Sequence, residues 1–160
     1  MRPILIAAAL AGASLFAAPA VADPLSDQVR ADLPSLMAIY RDLHANPELS
    51  MEETRSAGIL AGEARKAGFE VTTGVGKTGV VAVMRNGPGP VLLLRTDMDA
   101  LPVIENTDLP FRSTVHTTYE GHDVGVAHAC GHDIHTSVEL GVAAMLASVR
   151  AELPGTVIFV

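Results

Sequence analysis

Stretches with apolar residues at helical spacing alternate with short β-branched runs along this chain, and clusters of Gly, Pro and Asn punctuate them. That alternation predicts an α/β fold. A second observation supports it. The final run, Thr156-Val157-Ile158-Phe159-Val160, has the β-branched and aromatic content of a strand at the centre of a sheet.

Residues 1–22 come first and stand apart. Arg2 is the only charge before Asp23, Ile4 to Ala18 is apolar and alanine-rich, and Ala20-Val21-Ala22 has the small-x-small pattern that a signal peptidase reads. The segment is read as a cleaved secretory signal. The mature chain is then expected to start at Asp23 and to be exported, either to the periplasm or outside the cell. No stable membrane anchor is expected after cleavage, because Gly12, Ser14, Pro19 and many alanines make a weak spanning helix. No cysteine lies near the cleavage point, which excludes lipid attachment there.

Helical spacing of Val29, Leu33, Leu36, Met37, Ile39, Tyr40 and Leu43 predicts a helix over 25–45, stopped by Asn46-Pro47. Ser50-Met51-Glu52-Glu53 reads as a capping box, opening a second helix that runs to Ala67 and ends at Gly68. Strand-like runs follow at Glu70 to Thr73, Gly79 to Met84 and Val91 to Arg95. The separator Asn86-Gly87-Pro88-Gly89-Pro90 is expected to join the last two as a hairpin. Residues 103–127 have no clear period and read as a long functional loop. Val138, Leu140, Gly141, Ala144, Met145 and Val149 read as one face of a buried helix, closed by Leu153-Pro154-Gly155. A natural terminus rarely falls inside a core strand, so residues 23–160 are expected to be one incomplete domain of a longer protein. There is no internal repeat and no low-complexity linker.

The whole chain carries a net charge of −7, and loss of the signal removes one arginine and no acid. An acidic chain without a basic stripe and with few aromatics is a poor partner for nucleic acid. Export with a lone cysteine rules out an intramolecular disulfide, so the thiol must be buried, reactive or occupied.

Chemistry concentrates in His128-Ala129-Cys130-Gly131-His132-Asp133-Ile134-His135. Thiolate and imidazole hold zinc and other late first-row divalent ions, and a neighbouring carboxylate can bind metal or orient a ligating imidazole. Cys130 and His132 are the expected metal ligands. In an extended segment they would project to one side, with Gly131 leaving the backbone unobstructed. Two rival readings stand beside it: a closed structural zinc site built from His128, Cys130, His132 and His135, although ligands so crowded strain a tetrahedron, and a non-catalytic exported metal-binding module. Asp97 and Asp99 lie where the Val91–Leu94 strand runs out, the usual ligand edge of an α/β sheet. There they could serve a metal site, or simply cap the loop and pair with Arg95 or Arg112. Gly74-Val75-Gly76-Lys77-Thr78 is similar to the end of a phosphate-binding loop. The glycine needed five positions before Gly76 is Val71, however, and a strand follows rather than a helix, so these glycines read as turn residues.

Taken together, Asp42-Leu43-His44-Ala45-Asn46-Pro47-Glu48-Leu49-Ser50, Arg95-Thr96-Asp97-Met98-Asp99-Ala100-Leu101-Pro102 and the His128 to Asp133 run carry a family resemblance. The chain resembles the amino-terminal part of the hippurate hydrolase and indoleacetyl-amino-acid hydrolase branch of the aminoacylase and carboxypeptidase-type metallopeptidases. The match covers residues 30–160 in order. It implies a catalytic domain of helices packed on a mixed sheet, ending here before a lid or dimerisation domain through which the full-length protein could form a homodimer. It further implies two divalent metal ions, whether zinc, manganese, cobalt or nickel, and a small-molecule N-acyl amino acid or peptide-like amide as substrate. By motif position Cys130 and His132 resemble the metal ligands, and Asp99 resembles the catalytic aspartate that orients the site. Relatives continue from a strand like Gly155 to Val160 into adjacent glutamates that supply the general base and a further ligand. Thr96 and Asn46 depart from the commoner pattern without touching this chemistry.

Overall fold

A computed structural model describes residues 24–160, so the expected signal at 1–22 and its cleavage point lie outside the described residues. The first helix, α1 (Pro24–Ala45), ends where expected before Pro47. Its apolar stripe is buried only toward that end: Leu43 is 2% exposed, whereas Leu25, Val29 and Leu33 face outward. The second helix, α2 (Thr54–Lys66), begins later than predicted, and the capping box does not form, because Glu53 itself occupies the cap position without a side-chain bond to the helix. Glu48 does the capping instead. Its two carboxylate oxygens accept from the backbone N–H groups of Arg55 at 2.8 Å and Ser56 at 2.7 Å, where free amides and the helix dipole favour an anion.

Four strands make the main sheet: β1 (Glu70–Val75), β2 (Gly79–Asn86), β3 (Val91–Leu94) and β6 (Gly155–Phe159). Their order is β1-β2-β6-β3, antiparallel except for the parallel β3 and β6 pair. The sheet is therefore mixed, and the terminal strand lies inside it, as its composition requires. The expected hairpin of β2 with β3 does not exist. β6 lies between them, and β2 turns back on β1 through Gly74 to Thr78. The Asn86–Pro90 connector spans the start of β6, where Pro90 O accepts from Thr156 N at 2.9 Å. A Cβ on Gly155 would overlap Pro90 O, so only glycine permits this crossing.

Within the stretch read as a long loop, β4 (His116–Tyr119) and β5 (His122–Gly125) form a separate antiparallel hairpin. Glu120 and Gly121 at its tip both have positive φ, the geometry that a two-residue hairpin turn demands. The third helix, α3 (His132–Ser148), packs with α2 on one face of the sheet. Ala64 and Ala143 from the helices meet Ala82, Met84, Val157 and Phe159 from β2 and β6, and Phe69 crosses Phe159 edge to face at 5.5 Å. Against α3 lies α1, where a Cβ on Gly141 would come within 2.9 Å of Leu36, so a small residue sets the approach. Val138, expected on the buried face of α3, is 58% exposed. No helix of the described residues is long and apolar enough to cross a membrane.

Candidate functional site

Three segments converge at the end of the sheet where β3 and β6 finish. The chain leaving β3 stays tied to β6 through Thr96 N to Val160 O and Val160 N to Leu94 O, each 3.0 Å. It is then clamped on both sides. Ala100 N donates to Glu48 O at 2.7 Å, and Leu101 exchanges two 3.0 Å backbone bonds with Ala127. Residues 97–101 are thereby fixed beside the segment that leads from Ala127 into α3. Gly131, at φ 78°, turns that segment into the helix, so Cys130-Gly131-His132 is a bend and a helix start rather than the extended run expected.

The turn brings Asp99 and His132 together across 33 positions of sequence. His132 Nδ1 lies 2.8 Å from the backbone oxygen of Asp99 and 3.1 Å from its Oδ1. A carbonyl oxygen can only accept, so Nδ1 carries hydrogen, and in the neutral ring the lone pair is left on Nε2. Cys130, two residues earlier, is an exposed free thiol. Such side chains, an imidazole fixed through Nδ1 with its Nε2 lone pair left over and an exposed thiol two residues earlier in the sequence, are of the kind that suits a late first-row divalent ion. It is only part of a cage: among the described residues no group of three or more His, Cys, Asp or Glu side chains is placed to hold a metal. The four-ligand structural zinc site is not assembled either. His128 has both ring nitrogens buried without partners, and His135 is exposed. Asp97 takes the simpler role, paired with Arg95, whereas Arg112 bonds the Thr107 backbone.

Asp133 turns away from this corner. Its Oδ2 lies 2.7 Å from His44 Nδ1, while His44 Nε2 lies 3.1 Å from Glu105 Oε1, and all three side chains are almost fully buried. Glu105 is held in turn by Ser113 N at 2.6 Å and Thr107 Oγ1 at 2.5 Å. Burial opposes charge on His44, but the hydrogen bonds to Asp133 and Glu105 outweigh it and hold its pKa above the ordinary value. Burial likewise opposes charge on Glu105, and bonds from Thr107, Ser113 and His44 pull its pKa below the usual range. For His128 burial dominates and lowers the pKa, although Asp133 nearby favours the charged form. This network ties the last turn of α1 and the 105–113 segment to the first turn of α3.

Sequence reasoning quoted His44 and Asp133 within motifs but missed their pairing, which spans 89 positions. Glu105 gave no signal, being one acid in an aperiodic stretch. Glu139 was missed as well. It sits on α3 in the walls of a cavity, its Oε1 is buried without a partner among the described residues, and burial pushes its carboxyl up to about 7.

Comparison with known proteins agrees with this geometry. Residues 93–160 match the model of peptidase family M20/M25/M40. A probable hydrolase of Synechocystis is 47% identical over 129 residues, covering 79% of this chain and 31% of that protein. The IAA-amino acid hydrolase ILR1-like 5 of Arabidopsis thaliana is 38% identical over 125 residues, 78% of this chain and 27% of that one. Among solved structures, the YXEP protein of Bacillus subtilis, described as a dinuclear metal binding peptidase from the M20 family, superposes with a TM-score of 0.71. It is 40% identical and covers 81% of this chain and 34% of its own. The chain spans about a third of the length of the curated relatives it matches. On sequence and fold together, the chain is similar to the M20 peptidase family, with amidohydrolases among its relatives.

Proposed function

We propose that the protein containing this chain is a metal-dependent amidohydrolase of the hippurate and indoleacetyl-amino-acid hydrolase branch. Its substrate is an N-acyl amino acid or small peptide-like amide. The observation that carries this reading is the pair of Asp99 and His132, in which Nδ1 is anchored and Nε2 makes no hydrogen bond among the described residues, with the exposed Cys130 thiol two residues earlier in the sequence. Cys130 and His132 would contribute a thiolate and an imidazole to a dinuclear divalent-metal centre. Bound metal of that kind supplies a water of lowered pKa and polarises the scissile carbonyl. Asp99 keeps the proton on Nδ1 and so presents the basic Nε2 of His132, a positioning contribution made through the carbonyl and the carboxylate alike. The general base is assigned to no residue of this chain.

The test uses the full-length protein: metal analysis with hydrolysis of hippurate and an indoleacetyl-amino acid, before and after chelation. Loss of hydrolysis on chelation, with recovery on adding back a divalent ion, is expected. Hydrolysis that survives complete metal removal overturns the reading. Residues 23–160 alone, with two ligand candidates, should bind divalent metal weakly and turn over hippurate negligibly. Export is part of the same proposal, supported by the small residues at Ala20 and Ala22. Amino-terminal sequencing of exported material should begin at Asp23, and a retained Met1 counts against it.

A further inference from the structure

Between α2, the β1 to β2 turn, β2, the segment after β3, and α3, the described residues line a half-open cavity of about 410 Å3. That size suits a side chain or small ligand. Leu60, Val80, Leu140 and Phe159 give it apolar walls, and Asp97 and Asp99 line it as well. Asp99 is the residue that anchors His132, so the cavity adjoins the candidate catalytic corner.

Among the charged groups of its lining, Glu139 is the one left over. Arg95 is paired with Asp97, Asp99 meets His132, and Glu53 accepts from Thr78 Oγ1 at 2.6 Å. Glu139 makes no hydrogen bond or ion pair among the described residues, and its Oε1 is buried. A buried carboxyl without a partner is destabilising, as its raised pKa of about 7 reflects, and a cation is what offsets that cost best. Apolar walls with a single unmatched carboxyl at one side describe the complement of an aliphatic amine.

We propose that this cavity is a specificity pocket for a substrate side chain with an aliphatic stem and a terminal ammonium, of the lysine or ornithine kind, with Glu139 receiving the ammonium. The choice of substrate rests on the amidohydrolase reading; the binding of an amine rests on the cavity alone. Two measurements separate them. In titrations of this chain followed by NMR, pentylamine should bind at least about ten-fold tighter than 1-pentanol, the scale of a charge-assisted hydrogen bond. Glu139→Gln, checked for folding by circular dichroism, should abolish that preference. Equal binding of amine and alcohol by the unaltered chain, or a preference that survives in Glu139→Gln, overturns the proposal. With the full-length protein, kcat/KM for Nα-acetyl-lysine should exceed that for Nα-acetyl-norleucine by about ten-fold or more. Glu139→Gln should bring the ratio near one. Hydrolysis of both substrates at similar kcat/KM by the unaltered protein overturns the pocket and leaves the amidohydrolase reading intact. Glu139-dependent amine binding with neither substrate hydrolysed does the reverse.

Discussion

His132 and Asp133 are neighbours at the start of α3, and each belongs to a histidine and carboxylate pair, yet the two pairs do opposite things. Asp133 faces inward to His44, where both ring nitrogens are taken by buried carboxylates and nothing is left to bind a ligand. His132 faces the sheet edge, with one nitrogen anchored on Asp99 and a side chain 20% exposed. The chemistry of the groups is the same. What differs is unused bonding capacity: a fully satisfied buried pair can only hold the fold together, whereas a half-satisfied, reachable one can hold something else.

The largest effect that tests this contrast is expected on the inward side. His44→Ala leaves the buried carboxylates of Asp133 and Glu105 without the imidazole between them, a change that costs on the order of 3 to 5 kcal/mol. Chemical denaturation should show that loss, and an unchanged midpoint would mean the network is not structural. On the outward side, His132→Ala and Cys130→Ser in the full-length protein should each lower metal content and hydrolysis together. The expected drop is about a hundred-fold or more, beyond what loss of an outer partner brings. Denaturation midpoints of the metal-free variants should stay near that of the parent. If Cys130→Ser keeps both bound metal and full activity, the thiol is no ligand. Asp99→Asn should give the next smaller effect, lowering hydrolysis about ten- to a hundred-fold with metal content less affected, since it perturbs the orientation and basicity of the ring rather than the ligating atom. Equal loss of metal and activity would instead make Asp99 a ligand.

The inward network also predicts a pH profile. His44 has a raised pKa, so its stabilisation is fully present below 6.5 and is lost as pH rises through the raised value. Glu105 has a lowered pKa, so its stabilisation is present above 4.5 and is lost as pH falls through the lowered value. The pair therefore contributes most between about pH 4.5 and 6.5. Melting curves taken from that range upward through the raised His44 pKa should show an alkaline decline in the unaltered chain that His44→Gln lacks; identical slopes would remove His44 as the cause. The smallest change is Gly131→Ala. No atom lies within 4 Å of the added Cβ, so the expected penalty, about 1 kcal/mol, is that of the left-handed backbone alone. A much larger loss would show that the bend before α3 is under other constraints.

The metal-like run and the strand-end aspartates were legible because local chemistry and local spacing carry them. Their convergence was not. Nothing local to Asp99 says that its backbone oxygen meets a ring 33 positions later, and the extended geometry expected of Cys130-Gly131-His132 fails because Gly131 takes a positive φ to start α3. The helix cap was misassigned for a similar reason. Ser50 and Glu53 have the right spacing, but Glu48 reaches the free amides first, and Glu53 is drawn off to Thr78 of the β1 to β2 turn. Thr117, Thr118 and Tyr119 with Glu120-Gly121 did carry a weak hairpin signal inside a stretch read as loop.

From the sequence alone came what depends on neighbours along the chain: the α/β alternation, the stop at Pro47, the apolar core strand at the end, and the residue types able to bind metal. Periodicity, proline sterics and side-chain chemistry act over a few residues, so they survive without a fold. Tertiary structure decided which strands pair, because β6 lies between β2 and β3 only once the Gly155 crossing has formed. It also decided which of the adjacent His132 and Asp133 looks inward and which outward, and that Glu139 has no partner among the described residues. Bonding capacity is a sum over contacts distant in sequence, and no local pattern records it.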